Sequence, residues 1–382
     1  MFEFFFPTKV IFEKGAIKYL PEIVKALNKK NVFLLTGRNS MKRTGILSRV
    51  IKLLKKVNVS LVVYSQILPN PKVSIIEKAS KVARESNADL IIGLGGGSVM
   101  DSAKGVSLMV NNKGYLWEYV TKRNGEKSPN FPSVDIIEIP TTAASGSELN
   151  CTAVFTNDET NDKGVLSNES LYPKVSLIDP ELTLSVPEKT TVFGGIDIFC
   201  HLIEPYLTTK SSSVVTDEIL EGLMKVVVDN LPKVKDNLND IKAREALMWV
   251  SALACSQFAD LGDGAGAMVL HGIEHPLSGF FGITHGEGLG CLLIPWVKFN
   301  ISKINKRIKK LSKAIFNTSN GINVLKLWLK TVGATLRLRE IGVKKDSFEK
   351  MAISAINISP WIDENPVKLD KKRIIEIYEN AY

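Results

Sequence analysis

Residues 89–94 read Asp-Leu-Ile-Ile-Gly-Leu, an apolar run without polar alternation, and Gly95-Gly96-Gly97-Ser98 follow directly. A strand of this kind has no face to offer water, so it belongs inside a parallel sheet covered by helices on both sides. The same unit recurs along the first half of the chain. Residues 3–12 end in Val10-Ile11-Phe12 and read as an edge strand. Asn31 to Gly37, Ser60 to Tyr64, Val134 to Ile139 and Ser176 to Pro180 read as further strands. Helical spacing covers Ala16 to Leu27, Ile46 to Lys56, Val73 to Ser86 and Val99 to Val110. The third of these carries apolar residues at Val73, Ile76, Ala79 and Val82. Residues 111–133 read as a polar surface connection, and 155–165 as a hairpin with an acidic turn. Strands alternating with helices predict a Rossmann-like, doubly wound sheet with ligands at the carboxyl ends of its strands. From about Pro187 the spacing is helical with few strand signals. The expected division is an α/β domain over 1–180 and an all-α domain over 181–382.

All four histidines of the chain, His201, His271, His275 and His285, fall within one stretch of that second half. Asp197 and His201 stand four apart, as do His271 and His275, so on helices each pair projects from one face. Imidazole and carboxylate together suit a divalent metal of borderline softness. Either pair alone reads equally well as separate core or surface residues. Gathering the whole histidine content into two such clusters favours a metal.

The four cysteines, Cys151, Cys200, Cys255 and Cys291, are far apart and form no metal-spaced pair. That usage points to a reducing compartment, and the cytoplasm is expected. The N-terminus lacks a basic segment followed by an apolar one, so no signal peptide is expected. No apolar run reaches the ~18–20 residues of a membrane span. The net charge is +9, but the basic residues are scattered and no nucleic-acid motif accompanies them. An anionic small molecule suits that charge better than a nucleic acid does.

The glycine run after residue 94 lies where a strand gives way to a helix. Glycines let a backbone approach a phosphate closely, and a helix N-terminus offers free N–H groups and a positive dipole end. Ser98 suits the N-cap. The spacing is not G-x-G-x-x-G, and tight-turn packing is the other explanation for such a run. A second loop, Pro140-Thr-Thr-Ala-Ala-Ser-Gly-Ser-Glu148, follows the next strand with small hydroxyl residues suited to ligand contact.

Taken together, these residues resemble the iron-containing (group III) alcohol dehydrogenase family over nearly the whole chain. The resemblance is carried by residues 7–15, Gly95-Gly96-Gly97-Ser98-x-x-Asp101-x-Ala103-Lys104, and Pro140-Thr141-Thr142-Ala143. The most specific parts are Gly195-Ile-Asp197-x-x-x-His201-x-x-Glu204 and His271-x-x-x-His275-Pro276-Leu277, with His285-Gly286 beyond. Asn365-Pro366 and the closing residues 374–382 complete it. The resemblance implies a dehydroquinate synthase-like fold and hydride transfer between nicotinamide C4 and a metal-bound primary alcohol or aldehyde. It implies Asp197, His201, His271 and His285 as ligands of ferrous iron, with zinc an alternative. His275 is implied as a non-ligand histidine beside the nicotinamide, relaying a proton with a pKa in the useful range. The implied cofactor contacts are Gly37, Arg38, Ser40, Asn70, Gly95, Gly96, Gly97, Ser98, Asp101, Thr141, Thr142, Ser145 and Lys163. A homodimer or higher homo-oligomer is also expected.

Two departures bear on the pocket. Ala144-Ser145 stands where the family usually has Gly-Thr, and Phe199 and Cys200 precede His201 where smaller or hydroxyl residues are commoner. At the end of an early strand, a carboxylate would bond an adenosine 2′-hydroxyl and repel a 2′-phosphate. This chain has Gly37 there, followed by Arg38, Asn39 and Ser40. NADP(H) is therefore expected over NAD(H), unless Gly37 only makes the turn. Glycerol dehydrogenase-type polyol oxidation and dehydroquinate synthase-like lyase chemistry are the competing activities. A non-catalytic protein with a structural metal is a third alternative.

Overall fold

The computed structural model describes residues 3–211, 213–259 and 266–382. Eight strands occupy the first half: β1 Lys9–Phe12, β2 Asn31–Gly37, β3 Ser60–Ile67, β4 Leu90–Gly95, β5 Asp135–Pro140, β6 Thr152–Thr156, β7 Lys163–Ser167 and β8 Val175–Ile178. Six of them form one sheet in the order β1-β8-β5-β4-β2-β3. Every pair in it is parallel. β6 and β7 make the separate antiparallel hairpin, which bears the acidic turn. The helices of this half are α1 Leu20–Ala26, α2 Ser40–Arg43, α3 Ile46–Leu54, α4 Val73–Glu85 and α5 Gly97–Asn111.

Successive side chains of a strand point to opposite faces, and both faces here are buried. Phe33, Leu35 and Ile91 pack with Val73, Ile76 and Ala79 of α4 and Ala103 and Val106 of α5. Val32, Leu34 and Ile92 pack on the other side with Leu20 and Val24 of α1 and Leu47 and Val50 of α3. Val82 is not in the α4 stripe and is exposed; Ala83 takes its place. Nine residues after Val73, at about 100° per residue, it has turned roughly half-way round the helix. The edge strand is also shorter than expected. Phe4 and Phe6 lie outside it and pack against Phe258 instead.

β2 and β3 run outward in one direction from the centre of the sheet, whereas β4, β5 and β8 run outward in the other. The reversal lies between β2 and β4. It opens a crevice at their carboxyl ends, where Gly37 and Gly95–Gly97 sit.

From residue 188 the chain is helical: α6 Glu188–Thr208, α7 Val214–Asp236, α8 Ile241–Ala254, α9 Val269–Phe281, α10 His285–Phe316, α11 Ile322–Val332, α12 Phe348–Ile358 and α13 Lys371–Ala381. α6 is the axis of this half, buried continuously from Thr191 to Thr208. Two glycines permit its close packing. A Cβ at Gly195 would stand 2.4 Å from Leu231 of α7, and one at Gly286 of α10 would stand 2.1 Å from the Phe193 carbonyl. Among the described residues, no helix is long and apolar enough to cross a membrane.

Candidate metal centre and cofactor loops

α6 places Asp197, His201 and Glu204 on one face, because residues three, four and seven apart align on a helix. α9 supplies His271, Glu274 and His275. It ends at Gly282, whose left-handed φ of 65° turns the chain back, and α10 begins three residues later with His285. That short reversal returns His285 to Asp197, His201 and His271. The Nε2 atoms of His271, His285 and His201 lie 3.4, 3.7 and 3.8 Å from one oxygen, Asp197 Oδ1. Donor atoms of Asp197, His201 and His271 all lie within 4.8 Å of one another. Three imidazole nitrogens and a carboxylate directed to one buried point fit a divalent metal, and they do not separate iron from zinc.

Two glutamates complete the group. Glu204 Oε1 lies 2.5 Å from His271 Nδ1 and accepts the His271 backbone N–H through Oε2 at 3.2 Å. Glu274 accepts from His285 Nδ1 and, at 2.6 Å, from the Ser278 hydroxyl. Both are fully buried. A carboxylate on Nδ1 fixes the tautomer and presents the Nε2 lone pair to a metal. Sequence reasoning assigned neither a role. Their signal was the spacing: Glu204 lies three residues after His201, and Glu274 three after His271.

The charges of the cluster act strongly on one another. Burial raises the Asp197 carboxyl, but the surrounding imidazoles outweigh it and hold the group well below the usual carboxylate range. Burial lowers His271, yet Glu204 and Asp197 raise it to about 10. Burial pushes His201 down to about 3, opposed by Asp197 and helped by His271 and His285. His275 is pushed well below the ordinary imidazole value by burial, then by Lys163, His285 and His271. The expected near-neutral pKa at this position took no account of burial. His275 Nδ1 has no hydrogen-bond partner among the described residues.

The sheet half reaches this group through its loops. A Cβ at Gly194 of α6 would stand 2.4 Å from the Ala143 carbonyl, so the loop after β5 rests directly on α6. Ala144 donates its N–H to Ser251 of α8 at 2.8 Å. Its φ is not positive, whereas that of Gly146 is 62°, so alanine at 144 costs the loop no required backbone freedom. Lys163 and Asn70 are brought together at 3.4 Å, and Asn70 donates to the Ile283 carbonyl between α9 and α10 at 3.0 Å.

α5 begins at Gly97 with Gly96 at the N-cap, so Ser98 lies in the first turn rather than capping it. No side chain caps this helix, and its first turn holds no acid, which leaves its N-terminus suited to an anion. The glycines also serve packing. A Cβ at Gly96 would stand 2.8 Å from Thr142 Oγ1, and one at Gly97 2.6 Å from Ser145 Oγ. Thr141 donates its N–H to the Gly95 carbonyl at 2.9 Å. Asp101 accepts from Ser147 Oγ at 2.8 Å and from the Val154 N–H at 3.1 Å, which braces the loop. Gly37, Arg38 and Ser40 lie together at the end of β2, with Arg38 and Ser40 exposed. A Cβ at Gly37 would make only ordinary contacts, 3.7 Å from Ile67 O and Ser40 Oγ, and its φ is not positive. The turn therefore does not require glycine there.

A sheet whose crevice offers an uncapped helix N-terminus, facing a helical half with a buried histidine–carboxylate cluster, defines a metal- and nucleotide-dependent enzyme. Comparison with known proteins narrows the class. Residues 7–180 match the model of the iron-containing alcohol dehydrogenases, and residues 191–382 match that of the C-terminal part of the same family. The chain is 31% identical to NADH-dependent butanol dehydrogenase A of Clostridium acetobutylicum over 100% of this chain and 99% of that one. It is 30% identical to the probable NADH-dependent butanol dehydrogenase 1 of Bacillus subtilis over 93% of each. The crystal structure of NADH-dependent butanol dehydrogenase A from Thermotoga maritima superposes with a TM-score of 0.93 at 30% identity, covering 100% of this chain and 98% of that one. The chain belongs to the iron-containing alcohol dehydrogenase family. It is an alcohol oxidoreductase, acting between alcohol and aldehyde with a nicotinamide cofactor.

Proposed function

We propose that Asp197, His201, His271 and His285 hold one divalent ion, ferrous iron or zinc, and that the substrate is a primary alcohol or its aldehyde. The supporting observation is the approach of three Nε2 atoms to Asp197 Oδ1 within 3.4–3.8 Å. A bound ion supplies Lewis acidity to the substrate oxygen, and a bound nicotinamide supplies the hydride donor or acceptor. Glu204 and Glu274 hold the Nδ1 protons of His271 and His285, which keeps both rings aimed at the ion. His275, neutral and with a free Nδ1, is placed to take or give a proton at that atom. The N–H groups at the start of α5 bind the pyrophosphate, and Thr142, Ser145, Asn70 and Lys163 orient the cofactor between the halves.

Residues 1–180 then form the nucleotide domain and 181–382 the metal domain, with catalysis in the cleft between them. We place the protein in the cytoplasm as a homo-oligomer; Cys151, Cys200 and Cys291 are free thiols. NADP(H) preference is supported by Gly37, where the turn would tolerate a side chain but none is present. The names of the relatives at 30–31% identity point the other way, to NADH. The ratio of kcat/KM for the two cofactors decides this, and a higher value for NAD(H) in the unmodified enzyme overturns the preference. Anaerobic assay with reduced cofactor, butanal and added ferrous iron tests the reading as a whole. Oxidation of cofactor that depends on both metal and aldehyde is expected; none with either cofactor or with zinc would refute it. Turnover of glycerol in preference to simple primary alcohols would favour polyol oxidation.

A further inference from the structure

One large side chain, the indole of Trp361, stands beside the histidine group. The 3-10 turn Pro360–Glu364 rests directly on α9. A Cβ at Gly272 would stand 2.7 Å from Ile362 Cγ2, 3.0 Å from Ser359 Cβ and 3.1 Å from Trp361 Nε1. Glycine one residue after His271 is what allows this approach. Trp361 is partly exposed, and its Nε1 donates to the Met268 carbonyl at 2.9 Å. Its ring stands edge-on to His275, with centroids 6.4 Å apart at 83°, and His275 stands 5.7 Å from the His285 ring.

The same turn is also held from the sheet half. Asp363, two residues on, accepts both terminal nitrogens of Arg123 at 2.8 and 3.1 Å. Arg123 donates further through Nε to the Ile356 carbonyl at 3.0 Å and through its backbone N–H to Asn357 O at 2.9 Å. A lone surface ion pair contributes little to stability. A bidentate pair supplemented by two backbone bonds instead fixes an orientation. Arg123 belongs to the polar connection of the first half, so the turn that carries the indole is held by both halves at once.

We propose that Trp361 is the specificity-determining wall of the substrate pocket, limiting the chain length of the alcohol it takes, and that Arg123 is the positioning residue that holds the turn carrying it. This rests on the alcohol dehydrogenase reading of the same site. A flat indole held edge-on to His275 would close the pocket on that side against a longer chain. One methylene in an apolar pocket changes discrimination by about 10–200-fold, so removing the wall has a measurable effect.

The test is kcat/KM for ethanol, butanol, hexanol and octanol at saturating cofactor, in the metal-loaded wild type and in Trp361→Ala, Trp361→Leu, Trp361→Phe and Arg123→Ala. Trp361→Ala and Trp361→Leu are expected to raise the octanol-to-butanol ratio by at least about ten-fold. Trp361→Phe, which keeps a ring, should stay within about three-fold of wild type, and Arg123→Ala should raise the ratio by a smaller factor. KM for the cofactor should not change in any of them. A ratio unchanged in both Trp361→Ala and Trp361→Leu, with metal content and melting temperature retained, overturns the wall. Absence of wild-type turnover on every alcohol overturns the underlying reading and the wall with it. Should Trp361→Ala fail to fold, Trp361→Leu decides alone.

Discussion

In the helical half, three imidazoles from three helices converge on one carboxylate oxygen, that of Asp197. In the sheet half, the surface offered to a ligand is mostly backbone, the start of α5 with no side chain capping it. The two regions consequently respond to different injuries. A site built of side chains fails when one atom of the right chemistry is removed, even if the shape is kept. A site built of backbone tolerates changes of chemistry but fails when bulk is added. Glycines also serve the second region twice, since Gly96 and Gly97 give room to Thr142 and Ser145 as well as to any phosphate.

The largest effect should come from the side-chain site. Asp197→Ala removes the oxygen that all three imidazoles face, and turnover should fall by more than about 100-fold, beyond the usual loss from an outer partner. Retained turnover with stoichiometric metal would break the comparison at its stronger end. Glu274→Gln keeps the size but weakens the grip on His285 Nδ1, and metal affinity should fall by about 10–100-fold. Titration with metal in the presence of a competing chelator measures this. No change would mean that the glutamate is only a satisfied core group.

At the backbone site, chemistry-preserving bulk is the informative change. Gly96→Val should weaken cofactor binding by about ten-fold or more, the loss expected from about 1.5–3 kcal/mol of charge-assisted hydrogen bonding. Isothermal titration of the metal-loaded variant reads this directly, and circular dichroism checks that the sheet survives. Because the added methyls also meet Thr142, Gly96→Val combined with Thr142→Ala sharpens the result. Affinity restored in the double variant would assign the glycine to packing alone.

The smallest effect concerns stability behind that loop. Both oxygens of Glu148 are buried without a partner among the described residues, and burial raises its pKa from 4.5 to about 7. A carboxyl raised in the folded state contributes its full stability below pH 4.5 and loses it as pH rises through about 7. At about 1.36 kcal/mol per unit, the loss amounts to about 3 kcal/mol. Urea unfolding of wild type and Glu148→Gln at pH 5 and pH 8 should show the variant gaining on wild type by about that amount at the higher pH. Parallel pH curves would remove Glu148 from the account of the loop.

Much of this was legible in the sequence because two periodicities carried it. β2 spans the same Asn31–Gly37 that its apolar run marks, and the i,i+4 pairs of α6 and α9 lie where their spacing puts them. Val82 misled because repeated steps of three drift around a helix. Ser98 misled because Gly96 can occupy the N-cap in an extended conformation without any side-chain bond. Glu204 and Glu274 were hidden because a glutamate on a helix usually faces water; only tertiary packing opposite a histidine reveals its task. The bonds of Asp101 to Ser147 and Val154 were likewise hidden, because both partners are far off in sequence. The same holds for Lys104, fully buried and bonded to Ser147, Asn150 and Thr152, for which no local pattern gives warning.

The division of labour among the histidines is the central claim, and metal content tests it most directly. His285→Ala and His275→Ala are purified identically, loaded anaerobically with ferrous iron, desalted and analysed for bound iron alongside wild type. His285 faces Asp197 Oδ1 through Nε2 and is braced by Glu274, whereas the Nδ1 of His275 has no such brace. His285→Ala should lose most of its iron, and His275→Ala should keep it while turning over more slowly. Iron lost from His275→Ala and retained in His285→Ala would contradict the assignment.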